Sequence, residues 1–271
     1  MRSTWRLLVT GTTDGPSNMA IDHAIMDAVA EGRVPPTLRF YAWDPACLSL
    51  GFMQPLADVD RARLAVCGWD VVRRITGGRA ILHTDELTYS VTVKDDHPVV
   101  EGDIIKSYRR LSTALCHGLD QLGAAVESDR RVEGAGKAKG PVCFEVPSHY
   151  EITAGGKKLI GSAQVRKVGT VLQHGSIPLT GDIARICDAL VFESEQKRAE
   201  ARKKVHRRAT TVEEVLGRTI GWDEAVSVFS ASFAEVFDLA LEPGDLTPDE
   251  QARATALRAE QYAAEDWNAH R

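Results

Sequence analysis

Two residues of this 271-residue chain have the chemistry for acyl transfer, Cys143 and Lys158, which follows it by fifteen positions. A cysteine thiolate can attack and carry an acyl group, but with an ordinary pKa of ~8.5 only about 3% of a thiol is ionised at pH 7. A lysine ammonium within about 4–6 Å would stabilise the thiolate, and a two-unit depression of the thiol pKa corresponds to ~2.7 kcal/mol. Lysine could instead act as a base, because burial lowers its pKa from ~10.4. The sequence leaves both roles of Lys158 open.

A second motif lies upstream and reads Arg-Arg-Ile-Thr-Gly-Gly-Arg-Ala-Ile-Leu-His from Arg73 to His83. Its two glycines, Gly77 and Gly78, follow a strand predicted near 69–74. Paired glycines permit positive φ and close backbone approach, so that successive N–H groups can face a carbonyl, carboxylate or phosphate. The motif therefore predicts a loop that binds a substrate through its backbone.

The motif resembles the signature of the lipoate-protein ligase and octanoyltransferase family, whose fold is related to that of biotin protein ligases. The resemblance spans nearly the whole chain, and further matching stretches are Asn18–Asp22, Pro36–Trp43, Ser49–Phe52 and Tyr262–Asn268. It implies an α+β fold in which mixed and antiparallel sheets are flanked by helices, with a helical carboxy-terminal part.

The stretch around Cys143, Cys-Phe-Glu-x-Pro-Ser-x-Tyr-Glu, resembles the octanoyltransferase branch of that family. In this branch a nucleophilic cysteine is paired with a lysine that lowers its pKa, whereas the ATP-using ligases keep the lysine and do not need the cysteine. The resemblance thus implies that Cys143 and Lys158 are catalytic. It also implies a set of substrate-binding residues: Arg74, Gly77, Gly78, Arg79, His83, Gly161 and Ser162.

The implied reaction moves an octanoyl group from acyl carrier protein to a lysine of a lipoyl domain, with the glycine cleavage H protein as the expected acceptor and with no cofactor or metal. Cys143 would hold the acyl group as a thioester between the two steps. The principal alternative is ATP-dependent lipoate ligation through a lipoyl-adenylate, in which Cys143 is incidental. A lipoyl-binding protein without activity is a third interpretation, which the presence of both Cys143 and Lys158 disfavours, and biotin transfer fits the motif less well.

Three side chains beside the motif have a structural and a chemical interpretation. His83 could shuttle a proton, since imidazole titrates near neutrality, but a histidine on a strand is more often a hydrogen-bonded structural group. Asp85 and Glu86 are adjacent on a predicted strand and would point to opposite faces, so they should not converge on a metal or on one proton. We expect both carboxylates to be structural.

Composition excludes several classes of function. With 44% hydrophobic residues, 26% charged residues and a net charge of −5, the chain is typical of a soluble globular protein, and nothing suggests nucleic acid or a membrane as partner. The five cysteines, at 47, 67, 116, 143 and 187, show neither a disulfide framework nor zinc spacing. We predict buried packing for the four other than Cys143. The amino terminus has too short an apolar run for a signal peptide, so a reducing cytoplasm is expected.

Periodicity predicts where the elements lie. Helical spacing covers 18–30, with Ser17 as the N-cap, and also 103–122, 222–238 and 248–266, while short apolar or alternating runs predict strands near 37–43, 47–52, 80–93, 150–153, 158–165 and 170–177. Residues 195–208 carry seven lysines and arginines and are predicted to be a basic connector that could dock an acidic partner. We predict a catalytic body over 1–208, whose carboxy-terminal boundary could extend to about 245. A helical part over 209–271 is predicted to pack on it.

Overall fold

The computed structural model of the chain describes residues 2–128 and 152–269. The strands of these residues are β1 Ser3–Thr13, β2 Thr37–Trp43, β3 Cys47–Leu50, β4 Asp70–Arg73, β5 Ile81–His83, β6 Glu86–Lys94, β7 Glu127–Ser128, β8 Ile152–Ala154, β9 Lys157–Lys167, β10 Thr170–Pro178 and β11 Leu239–Pro243. The α-helices are α1 Gly15–Ala30, α2 Arg61–Cys67, α3 Ile104–Gln121, α4 Glu195–Arg208, α5 Val212–Leu216, α6 Trp222–Val236, α7 Pro248–Leu257 and α8 Glu265–Asn268.

Eight of these strands form one mixed sheet in the order β11-β1-β2-β6-β10-β9-β8-β7. The pairs β11–β1 and β1–β2 are parallel, and the pairs from β2 through β7 are antiparallel. A second sheet has the order β4-β3-β5. The predicted α+β class with mixed sheets flanked by helices is confirmed, and the strands predicted near 150–153, 158–165 and 170–177 correspond to β8, β9 and β10.

Helices cover both faces of the main sheet. α3 and α6 pack on one face, where Leu111, Leu115 and Leu119 meet Phe229 and Phe233 in the largest hydrophobic core. α1 packs on the other face against β2, β6 and β10. The predicted helix at 103–122 is confirmed, because its apolar side chains repeat at the 3.6-residue period that faces one core.

The predicted N-cap of the first helix is wrong by three residues. Asp14 is the cap, and its Oδ1 accepts a hydrogen bond from the Ser17 backbone N–H at 2.7 Å. Asp and Ser are about equally good caps, so the local sequence could not choose between them. The tertiary contact that favours Asp14 is its ion pair with Arg258 at 2.7 Å.

Residues 195–208 are a helix, α4, and the prediction of a connector is wrong. Part of its charge is used inside the protein, because Arg198 is buried and donates to the backbone carbonyls of Cys187 and Leu190. Arg202 makes ion pairs with Asp188 at 2.6 Å and Asp182 at 2.8 Å. The basic residues of α4 thus bind carbonyls and carboxylates that precede the helix in the chain, and these contacts pack the helix onto the protein.

The carboxy-terminal part contributes to the main sheet as well as covering it. β11 pairs in parallel with β1, with Ser3 opposite Leu239. The helix predicted at 248–266 is present but divided into α7, a π-helical turn at Arg258–Tyr262, and α8. The division of the chain at residue 208 stays a prediction.

The predicted nucleophile Cys143 falls outside the described residues. Within residues 2–128 and 152–269, no helix combines the length and apolar character that a membrane crossing needs. In the same part of the chain, no three His, Cys, Asp or Glu side chains are grouped so that they could hold a metal ion.

Candidate active site

A narrow pocket opens on the α1 face of the main sheet, between its inner strands β2, β6, β10 and β9 and the small sheet. Its volume is about 20 Å³. The lining residues come from α1, both sheets and Arg74, and they are Met19, Tyr41, Trp43, Ser49, Arg74, Ile81, His83, Thr88, Gly161, Ala163, His174, Gly175 and Ser176. The strand register explains the lining, because Ser176 stands opposite Gly161 and Thr88 on the neighbouring strands. The pocket combines apolar and aromatic surface with a few polar groups, as small-molecule sites do.

Lys158 borders this pocket through Gly161. It lies near the start of β9 and is only 5% exposed, and its carbonyl accepts a hydrogen bond from the Thr210 N–H at 3.0 Å. A Cβ placed on Gly161 would lie 3.1 Å from Lys158 Cε and 3.4 Å from Nζ, so the lysine side chain extends directly over this glycine. Lys158, predicted to be catalytic, and Gly161, predicted to bind substrate, thus lie in contact, and Gly161 lines the pocket.

Residues 74–79, which we call the glycine loop, are organised by the guanidinium of Arg74. Its Nη1 donates to the Ser49 carbonyl at 2.9 Å, and its Nη2 donates to the carbonyls of Gly77 at 2.9 Å and Arg79 at 2.8 Å. Gly78 has a φ of +96°, which a side chain would strain. Arg74 therefore lines the pocket and also shapes the two glycines, which are exposed and do not line the pocket themselves.

Gly51 supports the glycine loop from beneath, and we expect Gly51→Ala to displace the loop. An added Cβ would overlap the Gly78 carbonyl oxygen and lie 2.7 Å from its carbon, and neither atom can rotate away as a side chain could. Overpacking of this kind costs about 1–3 kcal/mol, and a shift of about 1 Å at a site can cost about 10²-fold in rate. Urea unfolding and turnover measure the two effects.

Gly77→Ala is the control for stability at this loop. No atom lies within 4 Å of a Cβ added there, so its free energy of unfolding should stay within about 0.5 kcal/mol of the wild type. Equal stabilities of the Gly51→Ala and Gly77→Ala proteins would contradict the close packing of Gly51 on Gly78.

His83 is fixed in the pocket wall by bonds at both ring nitrogens. Nδ1 lies 2.7 Å from Glu86 Oε1, and Nε2 lies 2.8 Å from Ser49 Oγ. The ring also stacks on Trp43, with centroids 4.0 Å apart. Glu86 is buried and bonded, whereas Asp85 is half exposed and paired with Arg185. The two carboxylates do not converge, as predicted, and the geometry favours the structural interpretation of His83.

Ser162 and Arg79 do not line the pocket. The Ser162 side chain lies on the opposite face of β9, where its Oγ is 2.8 Å from the Tyr89 hydroxyl. The Tyr108 hydroxyl donates to the Ser162 carbonyl at 2.8 Å. Arg79 is half-buried, and its backbone carbonyl accepts a hydrogen bond from Arg74. The assignment of Ser162 and Arg79 to substrate binding stays a prediction.

A buried polar network beneath the glycine loop was missed by sequence reasoning. His174 Nε2 lies 2.7 Å from the Thr76 hydroxyl, and His174 Nδ1 lies 3.5 Å from Asp22 Oδ2. Asp22 also accepts a hydrogen bond from Arg39 at 2.7 Å and one from the Tyr41 hydroxyl at 2.9 Å. The sequence did contain a signal, because Asp22 and Arg39 each stand in a strongly apolar segment. A charged residue that is buried is expected to have a partner.

This network predicts a loss of stability in acid. Burial lowers the pKa of His174, His23 and His97 below the usual ~6.5 of an unfolded chain, although Asp22 partly opposes this at His174. Burial alone raises the pKa of Asp22, but the charge of Arg39 and the hydrogen bond from His174 bring it to about 2. The unfolded chain therefore binds more protons than the folded protein, first below about pH 6.5 and again below about pH 4.

We expect the free energy of unfolding, measured with urea, to fall as the pH is lowered from 7 through 6 to 5. His174→Gln should make the dependence between pH 7 and 5 shallower. A stability that is flat or rises on acidification through this range would contradict the assignment of His23 and His174 as buried, and of His97 as half-buried, with all three neutral.

The other cysteines do not resemble nucleophiles. Cys47 and Cys187 are buried, as predicted, and Cys116 is half-buried. Burial raises the pKa of Cys47 well above its usual range and raises that of Cys116 to about 11, so both stay protonated at neutral pH. Cys67 is exposed at the end of α2, and the prediction that it packs in a core is wrong.

Comparison with known proteins agrees with this architecture. Residues 14–234 match the family model of the lipoyl protein ligase A/B catalytic domain. The octanoyltransferase LipM of Moorella thermoacetica is 47% identical over 266 residues, which cover 97% of each chain. The octanoyltransferase LipM of Brevibacillus brevis is 40% identical over 273 residues, which cover 98% of this chain and 99% of its own.

Solved structures give the same fold. A bipartite lipoate protein ligase of Thermoplasma acidophilum, from a study that also includes its E2 lipoyl domain, superposes with a TM-score of 0.83 at 24% identity over 98% of this chain and 96% of its own. A lipoate protein ligase from the same organism with bound lipoic acid has a TM-score of 0.79 at 24% identity, over 99% of this chain and all of its own. The fold suggested by the motif around Gly77 and Gly78 is confirmed, and the chain belongs to the family of the lipoyl protein ligase A/B catalytic domain.

Proposed function

We propose that this chain is an octanoyltransferase that moves an octanoyl group from acyl carrier protein to a lysine of a lipoyl domain, without ATP and without a cofactor. The observation that carries the proposal is its similarity, at up to 47% identity and over almost the full length of both chains, to relatives named octanoyltransferase LipM. The buried Lys158, which lies over the pocket residue Gly161, also supports the proposal, because its ammonium could stabilise a thiolate.

The proposed reaction has two acyl transfers. The Cys143 thiolate attacks the thioester carbonyl of the octanoyl carrier protein, a Cys143 thioester forms, and the carrier leaves as a thiolate, which takes a proton from solvent. The neutral ε-amine of the acceptor lysine then attacks the Cys143 thioester, the amide forms, and the Cys143 thiolate leaves. The amine loses one proton to a base or to solvent. An amide is more stable than a thioester, so neither step needs nucleotide activation.

In this proposal Lys158 stabilises the Cys143 thiolate, and the pocket binds the acyl chain. A cation beside a thiol favours the thiolate, and backbone N–H groups of the glycine loop could stabilise the oxyanion that forms at each step. A volume of about 20 Å³ holds about one water molecule, so an octanoyl chain could enter only if lining side chains moved. Trp43 and Met19 provide apolar surface for such a chain.

One experiment separates this function from lipoate ligation. The purified protein is incubated with octanoyl carrier protein, and intact mass is measured before and after an unmodified lipoyl domain is added, with and without ATP. We expect one octanoyl group on the enzyme without ATP, and its transfer to the domain. A wild-type protein that forms no adduct, and that modifies the domain with lipoate only when ATP is present, would establish the ligase alternative.

We further propose the glycine cleavage H protein as the preferred acceptor and the cytoplasm as the location. Acceptor preference is measured by offering equal amounts of the H protein and an E2 lipoyl domain in one reaction and comparing the initial rates of octanoylation. The location is supported by the four cysteines of the described residues, none of which forms a disulfide with another of them, as expected in a reducing compartment.

The outer face of α4 is the part of the basic segment that could receive an acidic carrier protein. Lys203 and Arg207 are exposed and lie four residues apart, so they share one helix face. The end of α4 adjoins Lys158, because Lys158 and Ala209 form a β-bridge. Arg202 does not belong to this surface, since its guanidinium is paired with Asp182 and Asp188.

Reversal of both charges, Lys203→Glu with Arg207→Glu, should raise the KM for octanoyl carrier protein by about three- to tenfold at low salt and weaken its salt dependence. Lys106→Glu on α3 is the matched control, an exposed reversal away from α4 that should leave this KM unchanged. If the double reversal leaves both the KM and its salt dependence unchanged, these charges serve only solvation and the helix dipole.

A further inference from the structure

Arg73 joins the carboxy-terminal end of the described chain to the strand that enters the glycine loop. It is the last residue of β4 and is fully buried. Its backbone N–H donates to Asn268 Oδ1 at 2.7 Å, and its carbonyl accepts from Trp267 Nε1 at 2.9 Å. Two side chains of the carboxy-terminal segment thus satisfy both backbone groups of Arg73, as a neighbouring strand would.

The Arg73 side chain extends this link to a second segment. Nη2 donates to the Asn268 carbonyl at 2.7 Å, while Nη1 donates to the carbonyls of Gly51 at 3.0 Å and Gln54 at 2.6 Å. Hydrogen bonds from a charged guanidinium are stronger than neutral ones, and its planar fork fixes their directions. One buried group therefore holds the segment Trp267–Asn268 and the turn at 51–54 at a set distance.

The turn at 51–54 is in direct contact with the glycine loop. The Phe52 N–H donates to the Thr76 carbonyl at 2.9 Å, and the backbone of Gly78 packs on Gly51 so closely that a Cβ there would overlap it. A change in the position of Arg73 would pass through this turn to Thr76 and Gly78.

The carboxy-terminal segment is itself well fixed. The Asn268 Nδ2 donates to the carbonyls of Tyr262 at 3.0 Å and Ala264 at 3.2 Å. Together with the bond that Oδ1 accepts from the Arg73 N–H, the side-chain amide of Asn268 makes three hydrogen bonds. The Trp267 ring lies between Phe52, at a centroid distance of 5.9 Å, and Tyr262, at 6.0 Å. The π-helical turn before α8 brings the Tyr262 carbonyl to this position.

We infer that Trp267 and Asn268 are positioning residues for acyl transfer, which set the place of the glycine loop through Arg73 without touching the substrate. Together with Arg73 they form what we call the carboxy-terminal latch. The kinetic part of this inference rests on the proposed function, whereas its structural part concerns the free enzyme and does not.

Two variants and one control test the latch. Asn268→Ala removes the acceptor of the Arg73 N–H and both bonds of the amide nitrogen. Trp267→Phe keeps an aromatic ring between Phe52 and Tyr262 but loses the bond to the Arg73 carbonyl. The matched control is Glu265→Ala, in the same helix α8 as Trp267 and Asn268. It breaks the exposed ion pair between Glu265 and Arg61 of α2 and leaves the latch intact.

The measurements are amide hydrogen exchange of residues 74–80 in the enzyme without substrates, and the kinetics of transfer corrected for the folded fraction. We expect both latch variants to speed exchange in this segment and to lower kcat/KM for octanoyl carrier protein by about 10- to 100-fold, since small misplacements at a site have effects of this size. The KM for the acceptor domain should not change, and Glu265→Ala should match the wild type in every measurement.

A purely structural role would lower the melting temperature and leave exchange at 74–80 and kcat/KM per folded molecule unchanged, and that result would overturn the inference. If Asn268→Ala does not fold, Trp267→Phe decides. If the wild type forms no octanoyl adduct, the proposed function has failed, and the exchange of residues 74–80 alone then decides whether the latch holds the glycine loop.

Discussion

Cys143→Ala is expected to abolish the octanoyl adduct and to reduce transfer without ATP by about 10³-fold or more, because loss of a nucleophile removes the two-step route. The acceptor amine would then have to attack the carrier thioester directly, without a covalent intermediate held in the site. The measurement is intact mass after incubation with octanoyl carrier protein, followed by the initial rate of domain octanoylation.

Cys67→Ala is the matched control for this experiment. Cys67 is the exposed thiol among the described residues and is therefore the one most open to non-specific acylation. Its replacement should leave both the adduct and the rate unchanged. An adduct that survives Cys143→Ala and disappears with Cys67→Ala would show that the label reports surface chemistry, and ATP-independent transfer that survives Cys143→Ala would contradict the proposed mechanism.

Lys158→Ala should slow formation of the acyl-enzyme and shift its rate profile to higher pH. If Lys158 depresses the thiol pKa by about two units, about 75% of the thiol is ionised at pH 7, against about 3% without the cation, which is a loss of about 25-fold. The loss should then shrink above about pH 9, where even an unassisted thiol is largely ionised. The measurement is the single-turnover rate of adduct formation between pH 6 and 10.

The same profile separates the two roles of Lys158 that the sequence leaves open. A cation that only stabilises the thiolate can be replaced at high pH, whereas a base or an oxyanion donor cannot, so a defect that persists at pH 10 would indicate one of the latter. Lys158→Arg keeps the charge and N–H donors but cannot act as a base, so it should retain more activity than Lys158→Ala unless Lys158 is the base. Lys157→Ala changes the adjacent lysine and should leave the profile in place.

Much of the fold follows from local pattern. The helix α3 carries its apolar residues at helical spacing, and the strands β9 and β10 follow the Gly155–Gly156 turn as short runs, so each could be predicted from its own segment. The pairing of β11 with β1 could not, because it joins residues more than two hundred positions apart through the chain and depends on which edge of the sheet is open. α4 was missed for a related reason, since its stability depends on Asp182, Asp188 and two backbone carbonyls.

Within the candidate site, the sequence identified the types of the residues but not the directions in which their side chains point. Alternation along β9 is interrupted where β8 pairs with it out of register, so the sequence could not tell that Lys158 lies over Gly161 while Ser162 points to Tyr89 on the other face. The role of Arg73 was also hidden, because its guanidinium donates to backbone carbonyls, which no sequence pattern distinguishes.

The sequence by itself determined the chemistry available to this protein, a thiol at 143, a lysine at 158 and paired glycines, because residue type is a covalent property of the chain. Only the tertiary structure decided which groups share a pocket, that Arg74 shapes the glycine loop, and that Trp267 and Asn268 reach back to Arg73. These are contacts between segments far apart in the chain, and their geometry is set by packing of the whole fold, which local propensity does not encode.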